Sequence, residues 1–216
     1  MGYIFSVEEA TQNLLTRLSE STGWKYLKSQ HCIKKAVKDL VFQVNLFSSK
    51  WNVSGERVEV SAEFRLSCKN YGKLPANNII ALMSYHPELH KPDNGNWYDI
   101  STEEKLLSAF EELNRRIQQT AGSLCAQFEQ DYLGGVESLF RKHFDEYHVY
   151  LDFIADKLGM SPAIRDKALE IYNSLSDDMR RQVLAYQNGA RNSSWMINRS
   201  NLKYIVDNNL IDLIGD

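Results

Sequence analysis

From Val58 to Cys68 apolar and polar residues alternate without a break. Val58, Val60, Ala62, Phe64, Leu66 and Cys68 take one side, and Glu59, Ser61, Glu63, Arg65 and Ser67 take the other. Successive strand side chains point to opposite faces, so this stretch predicts a strand with one face on a core and one turned outward. A second alternating stretch, about residues 35 to 47, sets Leu40, Phe42, Val44 and Leu46 against Asp39, Gln43 and Asn45. "NVSGE" lies between the two as a turn, with Gly55 free to adopt positive φ. Shorter strands are expected at "WKYLKS" and "IIALMSYH". Strands that follow one another without intervening helices form an antiparallel meander, because parallel neighbours need crossovers of roughly a dozen residues or more.

The period then changes from two to that of a helix. Ser6 with Glu9 forms a capping box ahead of Val7, Ala10, Leu14 and Leu18, and Gly23 closes that helix. Ser101 with Glu104 opens a longer one in which Leu106, Phe110, Leu113, Ile117, Leu124 and Phe128 recur at helical spacing, with Gly122 as a dividing point. Beyond Gly134 the pattern is helical throughout: about 136 to 158, a helix capped by Ser161 and Pro162, a third after Asp177 that ends near Gly189, and a last one near 200 to 214. The expected fold is therefore α+β: an antiparallel β-meander sheet covered by helices, followed by an all-helical C-terminal segment. "LGG" suggests a boundary that divides residues 1–133, carrying the sheet, from residues 134–216, packed on the first part or separate from it.

Composition narrows the functional classes. Hydrophobic residues make up 43% and charged ones 25% of 216, which excludes disorder and low complexity. A net charge of −3, with no run of Lys or Arg longer than a pair, argues against nucleic acid as partner. No apolar run approaches the roughly 20 residues of a membrane-spanning helix, so no membrane role is expected. Cys32, Cys68 and Cys125 are odd in number and lack Cys-x-x-Cys spacing, which fits reduced structural thiols and a cytoplasmic location. "MGYIFS" matches the short N-myristoylation pattern, but the capping box explains the same residues.

Candidate chemistry is sparse. "HPELH" places His86 and His90 four apart around Glu88, a spacing used by metal ligands on helices, yet Pro87 biases His86 away from helical angles. A loop after a strand is the better reading, and a metal-dependent hydrolase built on His86, Glu88 and His90 is the alternative. His143, Asp145, His148 and Asp152 share a segment with the aromatic stripe Phe140, Phe144 and Tyr147, which reads as a solvated edge beside a core. Cys32 next to His31, Lys34 and Lys35 is the one weak nucleophile candidate. "RNSSWMINRSNLKY" mixes Arg191, Trp195, Asn198, Arg199, Lys203 and Tyr204 as an RNA-contacting segment would, but a loop between helices explains it as well. Asp93, Trp97 and Tyr98 are candidate contacts for a small ligand beneath "HKPDNGNW". No phosphate loop, dinucleotide fingerprint or Gly-x-Ser-x-Gly occurs, and no cofactor is expected.

The outward sheet face carries more information. Gln43, Asn45, Glu63 and Arg65 face away from the apolar side, with Val41 and Phe47 as apolar anchors and Trp51 just past the strand. Such a face is either solvated or a recognition surface for another protein, and Gln43, Asn45, Trp51, Glu63, Arg65 and Trp97 are the candidate binding residues.

Over about residues 5 to 130 the chain resembles a bacterial family known only as domain of unknown function 4304. The resemblance is carried by Gly23 and Trp24, by Phe42 and Gln43 opening a strand, by Ser49, Lys50, Trp51 and Asn52 after it, and by Trp97 ahead of the long helix. It implies an α+β fold with an antiparallel sheet and brings no activity, cofactor or catalytic residue. The last third of the chain has no counterpart in it.

Overall fold

The computed structural model describes residues 4–69, 71, 78–87, 97–190 and 201–211. Helix α1 (Val7–Thr22) opens with the expected capping box, Ser6 and Glu9 each bonding the other's backbone N–H, and ends at Gly23 with φ 69°. Strands β1 (Lys25–Leu27), β2 (Cys32–Val37), β3 (Leu40–Ser48), β4 (Glu59–Cys68) and β5 (Ile79–Tyr85) then form an antiparallel sheet in chain order, and β6 (Tyr98–Asp99) pairs with the start of β4. The fold is α+β, as the pattern implied.

The 35-to-47 stretch is not one strand but two. A two-residue turn at Lys38 and Asp39 folds β3 back on β2, Val37 facing Leu40, with Lys38 at φ 55°. That position normally calls for glycine, so nothing in "VKDL" advertised the reversal. From β3 onward the alternation holds as expected. Phe42, Val44, Leu46, Ala62, Phe64 and Leu66 are all buried in the core, where Phe42 meets Trp24, Phe64 and Phe128 with ring centroids 6.3, 6.2 and 5.8 Å away.

The long helix begins one residue later than expected. Thr102, not Ser101, accepts the capping bond from Lys105 N, and the hydroxyl of Ser101 is turned to Asp99 instead. α2 (Glu103–Ile117) runs through a π turn (Gln118–Gly122) directly into α3 (Ser123–Gln130), so Gly122 sits in a widened turn and does not divide the helix. The proposed boundary at "LGG" falls inside α4 (Tyr132–Lys142).

The expected helix over 136 to 158 is broken. α4 stops at Lys142 and α5 spans Leu151–Leu158; between them, backbone at 147–150 lies along the outer edge of β5. There Leu82 N donates to Tyr147 O at 2.6 Å and Tyr150 N to Ile80 O at 3.0 Å. A buried strand edge demands partners for its peptide groups, and that demand overrides the helical spacing of the aromatic stripe. α6 (Pro162–Asn173), α7 (Asp177–Gln187) and α8 (Asn201–Asp207) follow. Asn201 ties the C-terminal part to the rest, its Oδ1 accepting from Leu151 N at 2.7 Å and its Nδ2 donating to Val149 O at 2.9 Å. Buried residues from α1 through α8 belong to one continuous core on one side of the sheet.

Candidate functional site

The opposite side of the sheet is built by strand register. One row across it runs Lys25, Lys34, Gln43, Arg65 and Leu82, each directly opposite the next. The adjacent row runs Leu27, Cys32, Asn45, Glu63 and Ser84, and Phe47 faces Ser61 one step further on. The structure thus brings Gln43, Asn45, Glu63 and Arg65 together at the centre of one face. Their side chains are tied to each other: Gln43 Nε2 donates to Asn45 Oδ1 at 2.5 Å and Arg65 Nε to Glu63 Oε1 at 2.5 Å. The Arg65 guanidinium continues along the strand to lie 5.6 Å from the centroid of the Phe47 ring, a cation–π contact that holds both. Asn45 is only 6% exposed, and its Nδ2 is buried without an acceptor among the described residues.

Two aromatics stand out from this face and its rim. Phe47 is 41% exposed and Trp51 69%, the latter with Lys50 Nζ 5.0 Å from a ring centroid. The backbone that displays Trp51 is anchored. Asn52 Nδ2 donates to Glu59 O and Asn52 Oδ1 accepts from Glu59 N, both at 2.8 Å, while Gly55 takes φ 83° in the turn. Sequence reasoning missed this clasp, whose only sequence signal is an asparagine ahead of a Gly-containing turn. Glu59, expected on the outward face, is 2% exposed and pairs with Arg57 at 2.8 Å, where β6 adds a strand beside the start of β4.

Trp97 does not join the central cluster. It is half-buried immediately before β6, and Tyr98 is buried with its hydroxyl taken by Arg116 Nη1 at 3.2 Å and Glu112 at 3.4 Å. Tyr98 is thereby committed to the structure, and Asp93 lies outside the described residues. Asp99 faces Glu59 across the two strands and is held by the Ser101 hydroxyl and by Lys105 Nζ at 2.7 Å. Burial alone would raise its pKa, but Lys105 and Ser101 hold it below the ordinary carboxylate value. A depressed folded-state pKa contributes stability in full above the unfolded value of about 3.9, and that stability is lost as pH falls through the folded value. Lys105→Met is therefore expected to lower the unfolding midpoint at neutral pH and to have little effect near pH 2, as circular dichroism melts at both pH values would show. An equal loss at both would mean that Lys105 acts through packing, not charge.

The other candidates do not assemble. Cys32 is completely buried under the polar row, outside the core; burial raises its pKa, with Lys34 and Gln43 pulling weakly the other way. A thiol kept protonated at neutral pH is no nucleophile. Cys125 is pushed up to about 11 by burial, and all three cysteines are free. The His86 carbonyl accepts from Arg116 Nη1, and Glu88 and His90 lie outside the described residues. His143 is stacked on Tyr147 and bonded to Glu146, and Asp152 accepts from Phe153 N, whereas Asp145, paired with Lys167, and exposed His148 at φ 43° line one cavity, so the four polar residues of that segment do not share a single site. Of the basic and aromatic segment near the C-terminus, residues 191–199 lie outside the described residues, and Lys203 is paired with Asp207. Among the described residues no three His, Cys, Asp or Glu side chains are grouped to hold a metal, and no helix is long and apolar enough to cross a membrane. A cavity of about 430 Å³ opens beside Phe144, Asp145, His148, Tyr150 and Ile171.

Compared with protein-family models, with curated proteins and with solved structures, the chain matches none.

Proposed function

We propose that the chain is a non-enzymatic protein-binding or regulatory module and that the open face of its sheet is the recognition surface. The observation that supports this most is the pairing of rigid polar side chains with displayed aromatics. Gln43 is bonded to Asn45 and Arg65 to Glu63, two fixed pairs side by side on strand backbone, and Phe47 and Trp51 project beside them. A preordered polar surface loses little freedom on binding and gives specificity, while Trp, Phe and Arg are the types that anchor partners. The same reading takes the chain to be cytoplasmic, supported by three free thiols, and to belong to the family that residues 5 to 130 resemble.

The test is photo-crosslinking. A benzoylphenylalanine placed at Trp51 or Phe47 is expected to capture one protein in cells of the source organism, and the same probe at exposed Leu169 on α6 to capture none. Phe47→Ser is expected to abolish the crosslink from position 51. Equal capture from the helical and sheet positions would remove the open face from consideration.

A further inference from the structure

We propose that the occupant of this face is an acidic segment of another protein, an inference that rests on the recognition reading above. Lys25 and Lys34 are directly opposite each other on β1 and β2. Like charges in that relation destabilise a sheet. Neither lysine has a carboxylate at ion-pairing distance among the described residues, which is also true of Lys38, Lys50, Lys69 and Lys142, but only Lys25 and Lys34 face each other across paired strands. Lys35, the next residue but on the other face, pairs with Glu129 at 2.7 Å, Lys105 with Asp99 at 2.7 Å and Lys167 with Asp145 at 2.9 Å. The chain has more acidic than basic residues, 28 against 25, so carboxylates are not in short supply. An acid brought from outside would relieve the repulsion of this opposed pair.

The rest of the face has the same sign. Its two central rows hold three cations, Lys25, Lys34 and Arg65, against one carboxylate, Glu63, which Arg65 already engages. The face is thus positive on a chain of net charge −3. The cations lie along one line, with the Gln43 amide between Lys34 and Arg65. An extended polypeptide laid along that row offers Asp or Glu carboxylates to the cations and backbone amides to Gln43, and its apolar side chains reach Phe47. Nucleic acid fits less well, since affinity for a phosphate backbone grows with the number of cations that neutralise it and this face offers only two without a carboxylate partner among the described residues, Lys25 and Lys34. A second copy meeting it face to face would bring two positive faces together.

The chemistry is tested with a phage-displayed library of random dodecamer peptides selected on the intact protein, followed by anisotropy titration of the enriched peptides. Enriched sequences are expected to be rich in Asp and Glu, to bind about tenfold or more weakly to Lys25→Glu and to Lys34→Glu, and to weaken as salt rises from about 50 to about 300 mM. Lys25→Glu has a built-in control for folding. It converts the opposed lysines into an opposite-charge pair, so its thermal midpoint is expected to rise while binding falls. Neutral or basic enriched peptides, no enriched peptide, or binding indifferent to both reversals would overturn the acidic partner. So would tighter binding of a single-stranded RNA, or a dimer in sedimentation that Lys25→Glu disrupts. The recognition reading is judged separately. If neutral or basic peptides are enriched and are lost on Phe47→Ser, or if the probe at position 51 of the otherwise unaltered chain captures a protein while no acidic peptide is enriched, it stands without the acidic partner; if neither holds, both fail.

Discussion

Phe42→Ala is expected to remove about 3–5 kcal/mol of folding stability, and Gln43→Ala, one residue along the same strand, less than about 1 kcal/mol. Phe42 is fully buried where the sheet meets α3, touching Trp24, Phe64 and Phe128, so truncation opens a cavity among three aromatic rings that cannot all move in. Gln43 points the other way, half-buried on the open face, and loses one hydrogen bond to Asn45. Urea denaturation of the two variants, read at equal slope, measures the difference directly. Comparable losses would mean that both faces of β3 are packed, and the open face would cease to exist as a surface.

Gly135→Ala is expected to cost about 1–3 kcal/mol, while Gly134→Ala changes stability by less than about 1 kcal/mol. Both glycines lie in the first turns of α4, where alanine would ordinarily favour the helix. At Gly135 an added Cβ would sit 2.7 Å from the ring of Phe128, a fully buried side chain hemmed in by Phe42 and Tyr132. At Gly134 the nearest atom is the carboxylate end of exposed Asp131, which swings away at little cost. Thermal unfolding of the pair decides it. A Gly135→Ala midpoint equal to wild type would show that α3 and α4 are not in close contact at this point.

These adjacent glycines show where sequence reading stopped. "LGG" reads as a breaker because composition registers glycine as freedom, whereas here one glycine makes room for a ring that is distant from it in the pattern. The same limit applies at Lys38, where a hairpin turns on a residue type that gives no turn signal, and at 143–150, where helical spacing continues through a segment recruited to a strand edge. What was legible was local and periodic: the alternation of β4, the capping box at Ser6 and Glu9, the glycine that closes α1. Of the candidate site, the sidedness of Gln43, Asn45, Glu63 and Arg65 could be read from period two alone. The alignment of Lys25 and Lys34 with them could not, because register between strands depends on turn lengths, and the turn at Lys38 was hidden.

The backbone laid along β5 also limits how the proposed partner would be held. Proteins that capture extended peptides commonly do so by strand addition, lending the free N–H and C=O groups of a sheet edge to a guest chain. In this molecule the middle of the β5 edge is already occupied by residues 147–150 of the same chain, and the edge at the other end is β1, three residues long and carrying Lys25. Such edges resist both templated assembly and guest strands. The proposed partner would therefore be read mainly by its side chains, its backbone meeting the face only at the Gln43 amide, and changing the partner's sequence should alter capture far more than changing its propensity to be extended.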